Sequence, residues 1–187
     1  STLVKDANDL ERLTLISAEV DWAAGRKDEA IAVAQNALDA LTRTHTREAQ
    51  TQRLAWLRLL SNAWFDRGDP LKALQTDTAI LELQESIGSP ADIGVAAYYL
   101  ASTLAVMGKP QQAAPLFERA ATLLPDALGQ YHVYTLSARA GMASALQARG
   151  DYSAAASLMN AVLDDFRAAP VPHVPGHGGE TLRRHQR

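Results

Sequence analysis

The sequence predicts an all-α solenoid of four antiparallel helix–turn–helix repeats, about eight helices in all. Three observations predict it. Four glycines in matching contexts, Gly25, Gly68, Gly108 and Gly150, recur at spacings of 43, 40 and 42 residues. Alanine follows each by five residues (Ala30, Ala73, Ala113, Ala155), and a small residue precedes each by seven (Ala18, Ser61, Ala101, Ala143). Behind each turn runs an apolar stripe with the spacing of one helical face. A period of this length marks an array in which each unit buries its apolar face on its neighbours.

The elements follow in order. Helices are expected near 7–25, 27–43, 47–67, 70–87, 91–107, 110–124, 128–149 and 152–168, which pair into repeats near 7–43, 47–87, 91–124 and 128–168. Each turn glycine closes a first helix by taking the left-handed conformation open to it. Asp69 and Asp151 are placed to cap the next helix, and Pro70 and Pro110 suit its first turn. Positions 5, 8, 9, 12, 13 and 16 after the glycine are all apolar in three repeats: Ala30 to Leu41, Ala113 to Leu124 and Ala155 to Phe166. The second repeat departs, with Thr76, Asp77 and Gln84 in the stripe. Leu74 and Leu83 suggest that its second helix is rotated so as to expose Asp77, a reading preferred to the alternative of a buried polar contact at that position. Ser89-Pro90-Ala91-Asp92 reads as a capping box, and Pro125 as the stop of the sixth helix.

Composition limits the chemistry. The chain has 187 residues, 47% of them hydrophobic and 21% charged, enough for a core in one domain at 7–168. A net charge of −3 argues against a phosphate-tracking surface, so no nucleic acid is expected. The absence of cysteine excludes disulfides, thiolate metal sites and cysteine nucleophiles. No apolar run is long enough to span a bilayer and no leader pattern is visible, so membrane insertion is not expected and the cytoplasm is favoured.

The glycine, the alanine five residues on and the small residue seven before together resemble the tetratricopeptide repeat, over roughly residues 7–168. The repeats here are 40–43 residues long against the usual 34 or so. Thr14, Ala97 and Arg139 stand where an early aromatic belongs, and the closing proline occurs once, as Pro125. Long repeats of this kind are similar to those of kinesin light chain and of bacterial regulators with helical sensor domains. The resemblance implies a right-handed superhelix, a concave groove lined by the first helix of each pair, a protein or peptide partner, and no catalysis.

On that geometry the groove face falls 10, 6 and 3 residues before each glycine. This selects Leu15, Glu19 and Trp22, then Arg58, Asn62 and Phe65, then Tyr98, Ser102 and Ala105, and finally Ala140, Ser144 and Gln147. Arg58 and Asn62, one turn apart, form half of a motif that holds a peptide carboxylate or backbone in some proteins with this repeat; Tyr99 and Gly141 stand where the rest of such a clamp would be. The bland alternative is a solvated helix face. Trp22, Phe65 and Tyr98 suit either an aromatic anchor for a partner or packing between repeats. Trp56 and Trp64 are read as structural.

Other chemistry is weak. There is no phosphate loop, metalloprotease motif or nucleophile elbow, and no cofactor is expected. Asp164-Asp165 reads as a solvated pair, and His45 and His132 as turn or surface residues. Residues 169–187, rich in Pro, Gly and His, are expected to be disordered. There His173, His177 and His185 offer weak metal donors, and Arg183, Arg184 and Arg187 offer contacts for an acidic partner. The leading expectation is a module that binds a peptide, extended segment or helix. The alternatives are a regulatory sensor domain of a larger kinase or transcription regulator, and a self-associating scaffold, hence a homo-oligomer.

Overall fold

A computed structural model describes residues 2–169, with side chains from residue 9 onward. The tail histidines and arginines therefore lie outside the described residues. Eight helices run in order: α1 (Thr2–Ala23), α2 (Lys27–Leu41), α3 (Arg47–Arg67), α4 (Pro70–Ile87), α5 (Pro90–Val106), α6 (Pro110–Leu128), α7 (Val133–Ala148) and α8 (Tyr152–Ala168). No strand occurs among the described residues. Each helix packs mainly on its neighbours in the chain, and α1 also reaches α3, as α5 reaches α7. That is the contact pattern of a solenoid.

The four turn glycines all take left-handed backbone angles, with φ of 84, 82, 72 and 89°. The residue after each donates its N–H to the carbonyl four before the glycine, at 2.8, 2.9, 2.9 and 3.0 Å. This is the Schellman closure, and it satisfies carbonyls that the helix end would otherwise leave open. The alanines that follow, Ala30, Ala73, Ala113 and Ala155, are buried, as are the small residues Ala18, Ser61, Ala101 and Ala143. Small side chains at both points let paired helix backbones approach closely. Asp69 accepts from the Lys72 N–H at 3.2 Å, whereas Asp151 makes no cap and pairs with Arg149 at 3.4 Å. The capping box is complete: Ser89 Oγ accepts from the Asp92 N–H, and Asp92 Oδ2 from the Ser89 N–H.

Four expectations are corrected. Helix α1 starts at Thr2 rather than near residue 7, since no glycine or proline precedes to stop it. Pro125 does not end the sixth helix, which carries Pro115 and Pro125 inside it and continues to Leu128. Leu124 is fully buried and Leu128 half-buried against the core, and their packing holds the last turn despite the missing N–H. The seventh helix accordingly begins at Val133, with His132 as its cap, rather than near 128. Finally, α4 is not rotated. Thr76, Asp77 and Gln84 are all buried at the stripe positions.

Two apolar clusters fill the array. The first joins α1, α2 and α3 through Ala18, Ile31, Ala34, Trp56, Leu59 and Leu60, with Ala73 of α4. The second runs from Leu54 and Leu57 of α3 through α5 and α6 to Ala138 of α7. Helix α3 faces both, and Leu38 of α2 touches both, so the core is continuous along the stack.

Candidate functional site

A cavity of about 370 Å³ opens between the first helices of the second, third and fourth repeats. Arg58, Ser61 and Asn62 of α3, Asp92 and Tyr99 of α5, and Tyr134 of α7 line it, with His132 and Leu128 from the α6–α7 connection and Asp77 and Ile80 from α4. Exposed Arg58, Asn62 and Tyr99 form the rim, and buried Ser61, Asp77, Ile80 and Ala96 the floor. None of the ion pairs among the described residues involves Arg58.

The rim is aromatic and hydroxylic. Tyr99 and Tyr134 share a hydrogen bond at 3.0 Å between their phenol oxygens. Their rings meet edge-on at 5.9 Å, and Tyr98 touches both at 5.4 and 5.9 Å. Burial, and then the Tyr134 hydrogen bond, push the Tyr99 phenol up to about 12, against the opposing pull of the Arg58 guanidinium. Tyr99 is therefore protonated at neutral pH. One hydroxyl of the pair donates to the other, which leaves the second proton free to point at a ligand. His132 uses Nδ1 to accept from the Tyr134 N–H at 3.2 Å, so its role is that of a helix cap.

The floor carries a buried carboxylate. Asp77 is only 4% exposed. Ser61 Oγ donates to its Oδ1 at 2.5 Å and Thr103 Oγ1 to its Oδ2 at 2.6 Å. Burial raises its pKa, and the two hydroxyl donors act in the opposite direction. A side chain of α4 thus ties α3 of its own repeat to α5 of the next.

Of the eight residues singled out for binding, only Arg58 and Asn62 line this cavity. Leu15 and Trp22 are half-buried against the first core cluster, and the Trp22 indole donates to Asp66 Oδ2 at 3.0 Å. Glu19 is exposed on α1. Phe65 is 43% exposed. Tyr98 packs on the second cluster beside Phe117, 6.2 Å between centroids, and Ser102 bonds back to the Tyr98 carbonyl at 2.8 Å. Trp56 and Trp64 are buried; the Trp56 indole faces Glu11 at 3.4 Å, and Lys72 Nζ lies 4.0 Å from the centre of the Trp64 ring. The Asp164-Asp165 pair is not simply solvated, because Asp165 pairs with Arg139 and so links α8 to α7. The pattern did not single out Tyr134, which falls at none of the groove offsets. Asp77 was visible in the sequence only as a polar residue out of place.

No group of three His, Asp or Glu side chains gathers as a metal site among the described residues, and none of their helices is long and apolar enough to cross a membrane. Residues 92–168 match the family model for the tetratricopeptide repeat. No curated protein matches the chain in sequence. Among solved structures, the chain is similar to the nearly identical TPR-like repeats of a kinesin light chain from Podosopora anserina. The TM-score is 0.71 at 20% identity, over 88% of this chain and 78% of that one. A single-substitution variant of those repeats gives 0.70 at 21% identity, over 83% and 74%. The apo form of RapI gives 0.76 at 10% identity over 86% of this chain, which spans only 44% of RapI. The family match thus covers the last two repeats, and the likeness to these structures shows that the same all-helical repeat architecture runs through the described length of the chain.

Proposed function

We propose that this repeat array, residues 7–168, is a protein–protein interaction module that seats a peptide, extended segment or helix across the first helices, with one partner side chain or chain end entering the Arg58–Tyr99 cavity. A fold of this kind ordinarily serves as an interaction scaffold rather than a catalyst, and no catalytic role is assigned to any residue. The observation that carries the reading is the cavity itself: an exposed guanidinium with no ion-pair partner among the described residues, the Asn62 amide and a free phenol proton converge on a space with room for a partner side chain. Those are donors arranged for an acceptor of negative charge, so a carboxylate is the group it suits. Leu15, Glu19, Trp22, Phe65, Tyr98 and Ser102 then belong to a wider contact surface or to the packing that supports it.

Binding to an array of acidic peptides tests this. Arg58→Ala with Asn62→Ala should weaken capture by about 10- to 100-fold, the range for losing a charge-assisted hydrogen bond, with helicity unchanged. Glu→Gln replacement in the peptide should have the same effect. Equal binding by the double variant and the parent chain would remove the cavity from the reading. A second reading, a regulatory sensor domain, draws on a cavity large enough for a small ligand. It predicts that a ligand without a peptide backbone competes for the same site.

A further inference from the structure

Stacking in the array follows one rule, and α1 and α8, the first and last described helices, present its unmatched halves. A first helix lies on the preceding second helix through the residues 12, 9, 8 and 5 before its turn glycine. In α3 these are Trp56, Leu59, Leu60 and Ala63, all buried in the cluster that includes Ile31 and Ala34 of α2. The same positions of α1 carry Leu13, Ile16, Ser17 and Val20. Leu13, Ile16 and Val20 are 63, 51 and 56% exposed, and Leu10 continues their ridge on the same side of the helix. The opposite side of α1, with Ala18 and Trp22, is the one that packs on α2 and α3.

The far end shows the complementary deficit. Positions 13 and 16 after the turn glycine are Leu81 and Gln84 in α4, and Ala121 and Leu124 in α6. All four are buried or half-buried where a further repeat follows. In α8 the same positions are Leu163 and Phe166, 42 and 69% exposed. A second-helix stripe that calls for a first helix, and a first-helix ridge that calls for a second helix, thus stand open among the described residues, on α8 and α1 respectively.

We propose that these faces meet between copies, with α8 of one copy receiving α1 of a second and so continuing the internal repeat interface across the junction. The occupant is chosen by that match: the ridge on α1 sits at the positions by which this array already docks its first helices, whereas α8 against α8 would put two second helices face to face, which occurs nowhere in the stack. The contact is heterologous, with different surfaces on its two sides, so it extends into open stacks rather than closing as a symmetric dimer. It is independent of the cavity and of what the cavity binds.

The full 187-residue chain tests this by sedimentation over a wide concentration range. The parent chain should pass continuously through twice the monomer mass and beyond. Leu13→Glu with Val20→Glu, and separately Leu163→Glu with Phe166→Glu, should each remain monomeric with helicity unchanged, since all four side chains are exposed. A mixture of the two variants should form a one-to-one dimer and stop there, because each retains the one face the other lacks. Lysine in place of glutamate should repeat the pattern; a result that differs with the sign of the charge would overturn the apolar contact. A parent chain that is monomeric throughout would overturn the proposal, and so would either variant that still associates or a mixture that stays monomeric. Any of these would assign the two faces to other segments of a longer chain or to a different partner.

Discussion

Replacing Gly141 by alanine sets helix propensity against packing, and the sign of the result decides which governs the junction of α6 and α7. A Cβ built on Gly141 would lie 2.3, 2.5 and 2.7 Å from Cε1, Cδ1 and Cζ of the Phe117 ring. Ordinary contact begins near 3.4 Å, so the ring would have to retreat by about 1 Å. Phe117 is 4% exposed and wedged beside Tyr98, which leaves it little room. Overpacking costs about 1–3 kcal/mol, and moving a whole ring belongs in the upper half of that range. Alanine regains about 1 kcal/mol over glycine inside a helix. The expected net effect is destabilisation by about 1–2 kcal/mol, read from urea unfolding at unchanged slope. In a Phe117→Leu background the clash is relieved, and Gly141→Ala should become neutral or stabilising by up to about 1 kcal/mol. A variant more stable than the parent chain in the original background would refute the close approach.

Two further outcomes follow from the turn and the floor. Gly108 holds φ of 72° with nothing within 4 Å of an added Cβ, so Gly108→Ala should cost about 1–2 kcal/mol from backbone strain alone, and Gly108→Asn, which tolerates that conformation better, should recover part of it in the same unfolding measurement; equal stability for all three would count against the strained turn. Asp77 holds its proton more tightly when folded than its ordinary pKa of 3.8 would give, so its contribution is fully present below 3.8 and is lost as pH rises through the raised folded value. The stability of the parent chain relative to Asp77→Asn should therefore fall as pH rises from below 3.8 toward neutrality, and a difference that is flat or rises with pH would contradict the burial of that carboxylate.

Much of the fold was legible because its signals are local. A left-handed turn restricts residue choice within one peptide unit, so Gly25, Gly68, Gly108 and Gly150 marked four turns that all take that conformation. The same holds for the capping box at Ser89, complete within four residues. Misreadings arose where a distant contact decided the outcome. Pro125 is a stop signal by itself, yet Leu124 and Leu128 gain enough from the core to carry the helix past it. Asp77 looked like an exposed residue on a rotated helix because a hydropathy stripe cannot show that Ser61 and Thr103 lie on the flanking helices with hydroxyls aimed at it. Gly141 looked like a clamp position with its polar group missing, whereas it makes room for Phe117 from another helix. The cavity was half legible: Arg58 and Asn62 follow from groove offsets, but Tyr134 joins them only through the stacking of α7 beside α5.

The irregular stripe of α4 and the cavity above it are best understood together. Apolar contacts are non-directional, and a stripe of leucine and alanine accepts small slides between neighbouring repeats. Two hydrogen bonds to one buried carboxylate do not, because a hydroxyl left without its acceptor in a low-dielectric interior is costly. Asp77 takes Ser61 from α3 and Thr103 from α5. Ser61 adjoins Asn62 and lies three residues from Arg58, while Thr103 lies one helical turn beyond Tyr99 on the same helix. The network that fixes the two helices therefore sits directly beneath the donors at the rim. We read Asp77 as a positioning group for Arg58, Asn62 and Tyr99. On this view the second repeat gives up the apolar pattern of the other three at the junction beneath the cavity, where two hydrogen bonds fix the relative placement of α3 and α5.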